Sequence, residues 1–364
     1  MIKVLQFAPG FLFGGIESRM LDWYRNINRE IVSFDLLKQE NNSNFTANIE
    51  QLRALGANIY NIPQFKYYNV INYCRAINHF FKTHPPYEVV HSHSVTTGLF
   101  VLYYAKKQGI KKRVLHARST RFDENWGRRI ISKLMNYFAL QYATDYFACS
   151  RQAGEFAFGK KKNFVVINNG IELNKFCFDK KIRNTIREGL GLKDDFLVGS
   201  VCRFTTPKNL PFMIHIIMEL IKIEPTTKLL LVGDGPLRNY VLNRFAEVNR
   251  LDKLVLVGEK DNVWDYYFAM DVFLSPSLWE GFGTTVIEAQ AAGLPCVVSN
   301  QFPPSAKISE STFRLSLSEP VNIWVEKIVM MKNKREDQTI IEKVAEAGFD
   351  AVAIAKILER FYKS

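Results

Sequence analysis

Residues 271–300, DVFLSPSLWEGFGTTVIEAQAAGLPCVVSN, constrain the fold of this chain more than any other stretch. An apolar run at 272–274 stops at Ser275-Pro276, because proline has no N–H for a sheet and disfavours helix in the residue before it. A loop with two glycines follows, and residues 284–292 then carry the apolar pattern of a helix packed against a sheet. The stretch therefore predicts a buried strand, a loop, a helix and a second buried strand.

The loop at 280–283, EGFG, has the composition of a phosphate site. Its glycines let the backbone approach a ligand, and the N–H groups that open the helix at Thr284 are donors at the positive end of the helix dipole. Glu280 and Glu288 are good acceptors for sugar hydroxyls, although not for phosphate. The pattern therefore indicates a ligand in which polyols flank a diphosphate.

These residues resemble a known family. EGFG at 280–283 together with Glu288 resembles the E-x7-E signature of the family-4 retaining glycosyltransferases of the bacterial capsular and exopolysaccharide type, which use nucleotide-sugar donors. Arg203 and Lys208 are similar to its R-x4-K element, and residues 233–236 to its G-x-G-P segment. The resemblance implies that Glu288 binds the nucleotide ribose, that Glu280 lies by the donor sugar, and that both cations bind the diphosphate.

The length of 364 residues is too great for one ordinary core, and strand and helix patterns alternate along it. This predicts an α/β protein, and the resemblance implies the GT-B fold of two facing Rossmann-like, doubly wound parallel-sheet domains. We expect an acceptor-binding domain at 1–175, to which a terminal helix at 349–364 returns. A nucleotide-sugar-binding domain is expected at 190–348.

The strand ends of the first half supply the expected acceptor contacts. Two of its apolar strands run into polar residues at their carboxyl ends, where ligands of parallel sheets collect. Relatives place a histidine by the donor sugar and the acceptor, and His116 is our candidate for it over His93. His93 is itself placed to meet an acceptor hydroxyl, and Arg118 and Arg121 add positive charge suited to a phosphate on the acceptor. Ordinary surface arginines are the alternative.

The remaining expected donor contacts come from loops and helix starts. A glycine pair after the first strand lies beside donor phosphate or acceptor in the family, with a simple tight turn as the alternative. The contacts expected in addition to Arg203, Lys208, Glu280 and Glu288 are Gly14, Gly15, Gly233, Asn262, Val263, Gly281, Phe282, Gly283 and Thr284.

The expected reaction is a hexosyl transfer to a hydroxyl with retention of configuration. No Asp-x-Asp motif occurs, so we expect no metal, and Arg203 and Lys208 would stabilise the charge on the leaving diphosphate in its place. By resemblance, the leaving phosphate accepts the acceptor's proton while Glu280 and His116 orient the donor sugar. The nucleotide sugar, with UDP-sugar as the first choice, is a co-substrate, and no cofactor is expected.

The net charge of +12 is concentrated in the first half of the chain. Residues 1–172 contain 23 Lys and Arg against 12 Asp and Glu, whereas the remainder contains 25 against 24. This asymmetry indicates an anionic partner for the first half, such as nucleic acid, a membrane surface or a phosphorylated acceptor. A basic surface without such a partner is the alternative.

A helix predicted at 126–142 is basic on one arc, with Arg128, Arg129 and Lys133, and apolar on another. It either lies on an anionic bilayer or packs in the core with a solvated basic face. We favour the bilayer, because the family's enzymes for lipid-linked acceptors dock through this half. The expected acceptor is accordingly a lipid-linked glycan of capsule, exopolysaccharide or lipopolysaccharide synthesis, with a soluble acceptor as the alternative.

Five cysteines lack C-x-x-C spacing, which argues against a disulfide framework or zinc site and for a reducing compartment. No apolar run reaches membrane-spanning length, and MIKVLQFAPG reads as a strand rather than a signal peptide. We expect a cytoplasmic protein, with peripheral binding to the inner face of the cell membrane as an open point.

Three other classes share some of these features. A nucleotide-dependent oxidoreductase would share the alternating pattern, but no G-x-G-x-x-G follows a strand. A nucleic-acid-binding protein would share the charge, but the chain carries no recognisable reader motif, so no nucleic acid is expected as a partner. An inactive GT-B protein that docks at a membrane as an assembly partner is the third, and the intact motifs speak against it.

Overall fold

The computed structural model describes residues 1–9, 15–39, 47–84, 86–119, 122, 125–192, 194–280 and 282–364. The chain divides into two compact units. Unit 1 consists of Met1–Ile171 and Asp350–Ser364, and unit 2 of Glu172–Phe349. Each unit is a parallel sheet with helices packed against it, which confirms the predicted α/β class.

Unit 1 is built on a seven-stranded sheet in the order β3-β2-β1-β4-β5-β6-β7, with parallel pairing throughout the described ladders. Its strands are β1 (Ile2–Ala8), β2 (Val32–Gln39), β3 (Asn58–Ile62), β4 (Val89–Ser92), β5 (Lys112–Ala117), β6 (Asp145–Ala148) and β7 (Val165–Val166). Its first six helices are α1 (Gly15–Asn26), α2 (Ala47–Ala54), α3 (Val70–Thr83), α4 (Gly98–Lys107), α5 (Trp126–Tyr142) and α6 (Arg151–Phe158).

Two cores lie on the opposite faces of this sheet, because successive side chains of a strand point to opposite sides. Leu5 packs with residues of α3 and α4 in one core. Its neighbour Val4 packs in the other, with Trp23 of α1. Since strands buried on both faces read as continuous apolar runs, this arrangement explains the sequence of β1.

Unit 2 is built on a six-stranded sheet in the order β10-β9-β8-β11-β12-β13, again parallel in its described ladders. Its strands are β8 (Phe196–Val201), β9 (Thr227–Val232), β10 (Leu254–Gly258), β11 (Val272–Ser275), β12 (Cys296–Ser299) and β13 (Thr312–Leu315). Its helices are α7 (Lys180–Gly189), α8 (Leu210–Ile223), α9 (Arg238–Ala246), α10 (Val263–Ala269), α11 (Thr284–Ala291), α12 (Val321–Met330) and α13 (Thr339–Val344).

The stretch at 271–300 folds as predicted, because β11, α11 and β12 follow one another and α11 is buried over most of its length. Helix α7 lies between the two domain ranges expected from the sequence, 1–175 and 190–348. Its Arg183 pairs with Asp271 at 2.6 Å and donates to the carbonyls of residues 268–270 at 2.8 Å. These bonds fasten the polar helix to the start of β11.

The last helix, α14 (Ala351–Lys363), belongs to unit 1 and packs against α1. Asp350 caps it by accepting from two backbone N–H groups, and the Ala351 N–H donates to the Ile171 carbonyl at 3.0 Å. A Cβ on Gly170 would lie 2.5 Å from the Ile354 side chain, so a glycine is needed where residues 169–171 pass this helix. The N-G-I turn therefore has a packing role in unit 1.

Candidate functional site

Two loops meet at the carboxyl edge of the unit 2 sheet. The strand order reverses its direction between β8 and β11, and open α/β sheets bind ligands at such a switch point. The loop after β8 carries Lys208 and the loop after β11 carries Glu280. Lys208 Nζ lies 2.5 Å from Glu280 Oε1, and the two side chains are only 21% and 11% exposed. The structure thus brings two residues from separate motifs into one ion pair.

Two further hydrogen bonds fasten the same loops. The Leu278 N–H donates to the Pro207 carbonyl at 2.8 Å, and the Asn209 side chain donates to the Pro276 carbonyl at 3.0 Å. Asn209 has φ 53°, a left-handed conformation that asparagine tolerates, where the short 3-10 turn Thr206–Lys208 meets α8. The two loops therefore form one hydrogen-bonded structure.

Arg203 lies on the same loop as Lys208 and is exposed. The pairing of β8 with β9 continues into Cys202, just before Arg203, because the Cys202 N–H donates to the Val232 carbonyl at 3.0 Å. A guanidinium and an ammonium on one loop at a sheet's switch point are suited to binding a diphosphate.

The G-x-G-P segment packs closely against this loop. A Cβ on Gly233 would lie 2.1 Å from the Cys202 carbonyl oxygen, and a Cβ on Gly235 would lie 2.7 Å from that of Phe204. The Phe204 N–H donates to the Asp234 carbonyl at 2.8 Å, and the Phe204 carbonyl accepts from the N–H of Leu237, just after the segment, at 3.0 Å. Glycine is therefore required here by backbone packing that supports the loop of Arg203. A direct contact of Gly233 with the donor stays a prediction.

Helix α11 begins where the loop of Glu280 ends, with Thr284 as its first residue. Gly283 precedes it at φ 84°, and a Cβ there would lie 2.5 Å from the buried Phe302 ring. Phe282 is 7% exposed, so a contact of this residue with a ligand would come from its backbone. Gly281 lies outside the described residues.

Glu288 is buried one turn into α11, at 9% exposure. The Tyr267 hydroxyl donates to Glu288 Oε2 at 2.9 Å. Burial, with a smaller contribution from this carboxylate, raises the pKa of Tyr267 well above its ordinary value of 10, so the tyrosine remains a donor at neutral pH. The bond fixes the direction of the carboxylate.

Asn262 and Val263 follow β10, two strands away from the switch point. Strands of a sheet lie about 4.8 Å apart, which puts β10 roughly 10 Å from β8. The Asn262 side chain donates to Asp265 at 2.5 Å at the start of α10. These residues share the sheet edge of Lys208 and Glu280, but the structure does not bring them into contact with that pair.

Unit 1 has its own switch point between β1 and β4, and His93 directly follows β4. Arg118, just after β5, donates to His93 Nδ1 from Nε at 3.2 Å and to Asn169 Oδ1 at 2.7 Å. The guanidinium also lies 4.8 Å from the Trp23 ring centroid. Burial lowers the pKa of Arg118 to about 10, which leaves it charged at neutral pH. The structure therefore brings the predicted residues His93 and Arg118 together.

His116 is fully buried at the end of β5. Its Nδ1 lies 3.0 Å from His91 Nε2, and its buried Nε2 has no hydrogen-bond partner among the described residues. Burial is the main cause that lowers its pKa well below 6.5, with Arg118 adding to the effect, so the ring is neutral. Its place beside a sugar stays a prediction. Gly14 and Arg121 lie outside the described residues, and Gly15 is the first residue of α1.

The rings of His91, His93 and His116 form a cluster whose nearest ring nitrogens all lie within 4.8 Å of one another. Five of their six ring nitrogens are hydrogen-bonded, and the cationic Arg118 donates to one of them. Since a metal ion needs ring lone pairs and repels a guanidinium, this set does not fit a metal site.

Helix α5 exposes its large apolar residues. Its buried side chains are small or polar apart from one methionine: Ser132, Met135, Asn136 and Ala139. The exposed apolar ones are Trp126, Ile130, Ile131, Leu134, Tyr137 and Phe138. Arg128, Arg129 and Lys133 are also exposed on this helix. In the part of the chain that the structure describes, no helix combines the length and apolarity needed to cross a membrane.

Four residues near these groups were missed by the sequence analysis. Ser277 donates to Glu280 at 2.9 Å, and its spacing of three positions before a glutamate was a usable local signal. No such local signal points to Tyr267, Gln6 or Tyr362, because their hydrogen-bond partners lie far along the chain. Gln6 and Tyr362, for example, are separated by 356 positions.

Comparison with known proteins is consistent with this geometry. The family described as "Glycosyl transferases group 1" matches residues 182–343. EpsF of Bacillus subtilis (strain 168), which is named as a glycosyltransferase, is 29% identical over 361 residues, covering 96% of this chain and 93% of EpsF.

Two further proteins are similar over different extents. The UDP-Gal:alpha-D-GlcNAc-diphosphoundecaprenol alpha-1,3-galactosyltransferase of Escherichia coli is 30% identical over 226 residues, 59% of this chain and 58% of the enzyme. The crystal structure of Anabaena Alr3699/HepE in complex with UDP superposes with a TM-score of 0.78 at 18% identity, covering 100% of both chains. The latter likeness shows the fold.

Proposed function

The chain belongs to the group 1 glycosyltransferases and has the GT-B fold, and from this premise we propose that it transfers a sugar from a UDP-sugar to a hydroxyl of a lipid-linked glycan with retention of configuration. The observation that carries the proposal is the Lys208–Glu280 ion pair, which joins the R-x4-K and E-x7-E motifs at the switch point of the unit 2 sheet.

Arg203 and Lys208 bind the donor diphosphate. In the transfer, the bond between the sugar C1 and the diphosphate oxygen breaks, and negative charge grows on that oxygen. Two cations held by the protein stabilise this charge more in the transition state than in the bound donor, and such preorganised groups supply much of an enzyme's rate enhancement.

The carboxylates bind hydroxyls on either side of the diphosphate. Glu280 is held by Lys208 and Ser277 at 2.5 and 2.9 Å, which directs it to the donor sugar. Glu288, oriented by Tyr267, accepts from the ribose hydroxyls. Asn262 and Val263 border the base, at a distance from β8 that an extended nucleotide spans.

The acceptor oxygen attacks C1 on the face that the diphosphate leaves, and the leaving phosphate oxygen takes the acceptor's proton. This step needs no protein base. It also needs no metal, because Arg203 and Lys208 supply the positive charge, and the chain has no Asp-x-Asp motif. The nucleotide sugar is a co-substrate.

The nature of the substrates is supported by the relatives. One is named for a UDP-galactose donor and an acceptor on diphosphoundecaprenol, and a structural neighbour is solved with UDP. For this chain we propose a UDP-sugar and a lipid-diphosphate-linked glycan of exopolysaccharide or capsule assembly. Arg118 lies at the unit 1 switch point and is our candidate for binding the acceptor, whereas His93, whose two ring nitrogens bond to Arg118 and Gln6, orients Arg118.

Unit 1 docks on an anionic membrane through α5. A helix with its large apolar residues exposed beside Arg128, Arg129 and Lys133 has the composition of an interfacial helix. The apolar side chains enter the headgroup region while the cations meet anionic lipids. This places the enzyme at the bilayer that carries its acceptor.

A transfer assay in EDTA tests the proposal. Purified protein receives UDP-glucose, UDP-galactose or UDP-N-acetylglucosamine and a sugar-diphosphate-lipid acceptor, and the product's anomeric configuration is read by NMR. We expect one α-donor to give an α-linked product. A β-linked product would overturn retention, and a strict need for a divalent cation would overturn the metal-free mechanism. Consumption of NAD in place of UDP-sugar would favour the oxidoreductase class.

A further inference from the structure

A chain of hydrogen bonds runs through the core between β1, β4, β5 and α14. It starts at Arg118, whose guanidinium has no acceptor atom and therefore donates to His93 Nδ1 at 3.2 Å. A neutral histidine that accepts at Nδ1 carries its proton on Nε2. His93 Nε2 lies 2.9 Å from Gln6 Oε1, so His93 donates to the amide oxygen of Gln6.

The same direction of hydrogen-bond donation continues from Gln6 to His116. With its oxygen accepting from His93, Gln6 donates from Nε2 to the Tyr362 hydroxyl at 3.2 Å. That hydroxyl then gives its own proton to His91 Nδ1 at 2.7 Å, and His91 donates from Nε2 to His116 Nδ1 at 3.0 Å. His116 accepts at Nδ1 and so carries its proton on Nε2.

We infer that Gln6 and Tyr362 are positioning residues that hold His116 in its Nε2–H tautomer, which makes the buried Nε2 of His116 a hydrogen-bond donor and not a base. Each step is fixed by the one before it, because a neutral imidazole that accepts at one nitrogen donates from the other, and a hydroxyl that accepts one hydrogen bond donates its own proton to another acceptor. The Nε2 atom of His116 is the end of the chain, and it is the one ring nitrogen of the cluster with no partner among the described residues.

Neighbouring aromatic rings fix the orientation of the His116 ring, in addition to the hydrogen bonds that fix its tautomer. The Trp23 ring is nearly parallel to that of His116, at 6.1 Å and 11°, and the Phe147 ring meets it edge-on at 5.8 Å. A ring packed between aromatic neighbours has one orientation, so its tautomer decides what Nε2 offers. A flip of the tautomer would replace a donor at that position with an acceptor.

This inference rests on the proposed function for its substrate. In the proposed transfer the acceptor's proton goes to the leaving phosphate oxygen, so no histidine base is required. A neutral Nε2–H group acts only as a donor, and because Nε2 is buried, its proposed role requires a substrate oxygen to enter this position. Tyr362, near the end of α14, thereby acts on the chemistry through His91 and His116.

The test is the tautomer itself, read by long-range ¹H–¹⁵N NMR of protein labelled at its six histidines. Single substitutions of each histidine assign the signals. We expect His91, His93 and His116 to be neutral and protonated on Nε2 at pH 7. In Tyr362→Phe, His91 loses the proton donor that fixed it, and we expect His91 and His116 to show mixed or Nδ1–H tautomers. Nδ1–H on His116 in the wild type, or unchanged tautomers in Tyr362→Phe, would overturn the inference.

Tyr24→Phe is the matched control, because Tyr24 is a buried tyrosine that packs on the same Phe34 ring but is not part of the hydrogen-bonded chain. It should leave all three tautomers unchanged. Gln6→Leu offers a second break in the chain, should Tyr362→Phe fail to fold by circular dichroism, and it should disturb the same two rings.

Kinetics then separate positioning from folding. We expect Tyr362→Phe to lower kcat at least tenfold with an unchanged affinity for UDP, because the proposed UDP site lies in unit 2. His116→Gln, which keeps an amide donor, should retain more activity than His116→Leu. Equal loss in both variants would contradict a donor role. Absence of transfer by the wild type would count against the proposed function, while the NMR result would still decide the tautomer.

Discussion

Lys208 and Glu280 are 72 positions apart in the sequence, and their side chains meet at 2.5 Å. The contact forms where two loops leave neighbouring strands, β8 and β11, on either side of the point at which the sheet reverses its strand order. Cys202, half-buried beside this pair, has its pKa raised to about 11 by desolvation, which Lys208 partly offsets. A cation and a carboxylate from two motifs thus share one partly buried site.

Replacing Lys208 with Met should weaken UDP binding by about 10- to 100-fold and lower kcat for transfer as well. A charged hydrogen bond contributes about 1.5–3 kcal/mol, and the leaving diphosphate needs the cation most in the transition state. The measurement is calorimetric titration of UDP together with steady-state kinetics.

Lys222→Met is the control for this change, because Lys222 is an exposed lysine on α8 that pairs with Glu219. This change should leave the affinity for UDP and the kcat for transfer within about twofold of the wild-type values. If Lys208→Met binds UDP as the wild type does, Lys208 does not contact the diphosphate.

Replacing Glu288 with Gln should abolish the preference of the protein for a ribose. The wild type should bind UDP about tenfold or more tightly than at least one of 2′-deoxy-UDP and 3′-deoxy-UDP, since a carboxylate that loses its hydroxyl partner is left unsatisfied. In Glu288→Gln the difference should shrink to about threefold or less. An equal preference in both proteins would assign Glu288 a structural role, and Glu326→Gln on the exposed part of α12 serves as the control.

Unit 1 should lose stability as the pH falls below about 6.5. Burial lowers the pKa values of His91, His93 and His116 well below 6.5, so the unfolded chain binds protons that the folded chain does not. Their contribution is therefore present above pH 6.5 and lost below it. Between pH 7.5 and 5.5 the free energy of unfolding should fall by about 1.4 kcal/mol per histidine, or up to about 4 kcal/mol for all three.

Urea unfolding of unit 1, followed by amide hydrogen exchange, measures this change. His93→Gln should reduce the pH-dependent loss by about one third, whereas His79→Asn at an exposed position should not alter it. A free energy of unfolding that is constant over this range would show that the cluster is charged in the folded protein or open to water.

Replacing Gly233 with Ala should destabilise unit 2 by about 3 kcal/mol or more. Its φ is 125°, and the added Cβ would lie 2.1 Å from the Cys202 carbonyl oxygen, so the backbone of the Arg203 loop must move. Gly189→Ala, where a Cβ meets nothing within 4 Å, should change stability by about 1 kcal/mol or less. Thermal unfolding compares the two, and similar effects would refute the packing role of Gly233.

The protein should sediment with vesicles that contain anionic lipid and not with neutral ones. Each basic residue near such a surface contributes about 1 kcal/mol, so Arg128→Ala with Arg129→Ala should weaken binding about 30-fold. Leu134→Ser, which removes an exposed apolar side chain of α5, should also weaken it, whereas Ile223→Ser, exposed on unit 2, should not. Unchanged binding in the α5 variants would exclude this helix as the docking surface.

Much of the fold follows from local patterns. Helix α5 has the predicted bounds, because its apolar periodicity and its flanking residues are local features of the sequence. Helix α7 was missed, since its sequence, KKIRNTIREG, is so polar that it reads as a linker. It is stabilised by Arg183 and Arg187, which bind Asp271 and carbonyls more than 80 positions away. No local pattern records such partners.

The candidate site was likewise predictable only in part. Motif spacing located Lys208, Glu280 and Glu288, because each belongs to a short element with a fixed chemical role. It did not show that Lys208 pairs with Glu280, or that Tyr267 orients Glu288, since these contacts depend on the strand order of the sheet. No local pattern connects the chain's first strand with its last helix through Gln6 and Tyr362.

The most direct test of the central claim is a calorimetric titration of the wild-type protein with UDP, GDP and ADP in EDTA. If Arg203, Lys208 and Glu288 form a donor site that works without a metal ion, UDP should bind with one site per chain and at least tenfold more tightly than the other two nucleotides, and added Mg²⁺ should not strengthen it. Failure of all three to bind in EDTA, or binding that appears only with Mg²⁺, would contradict the account.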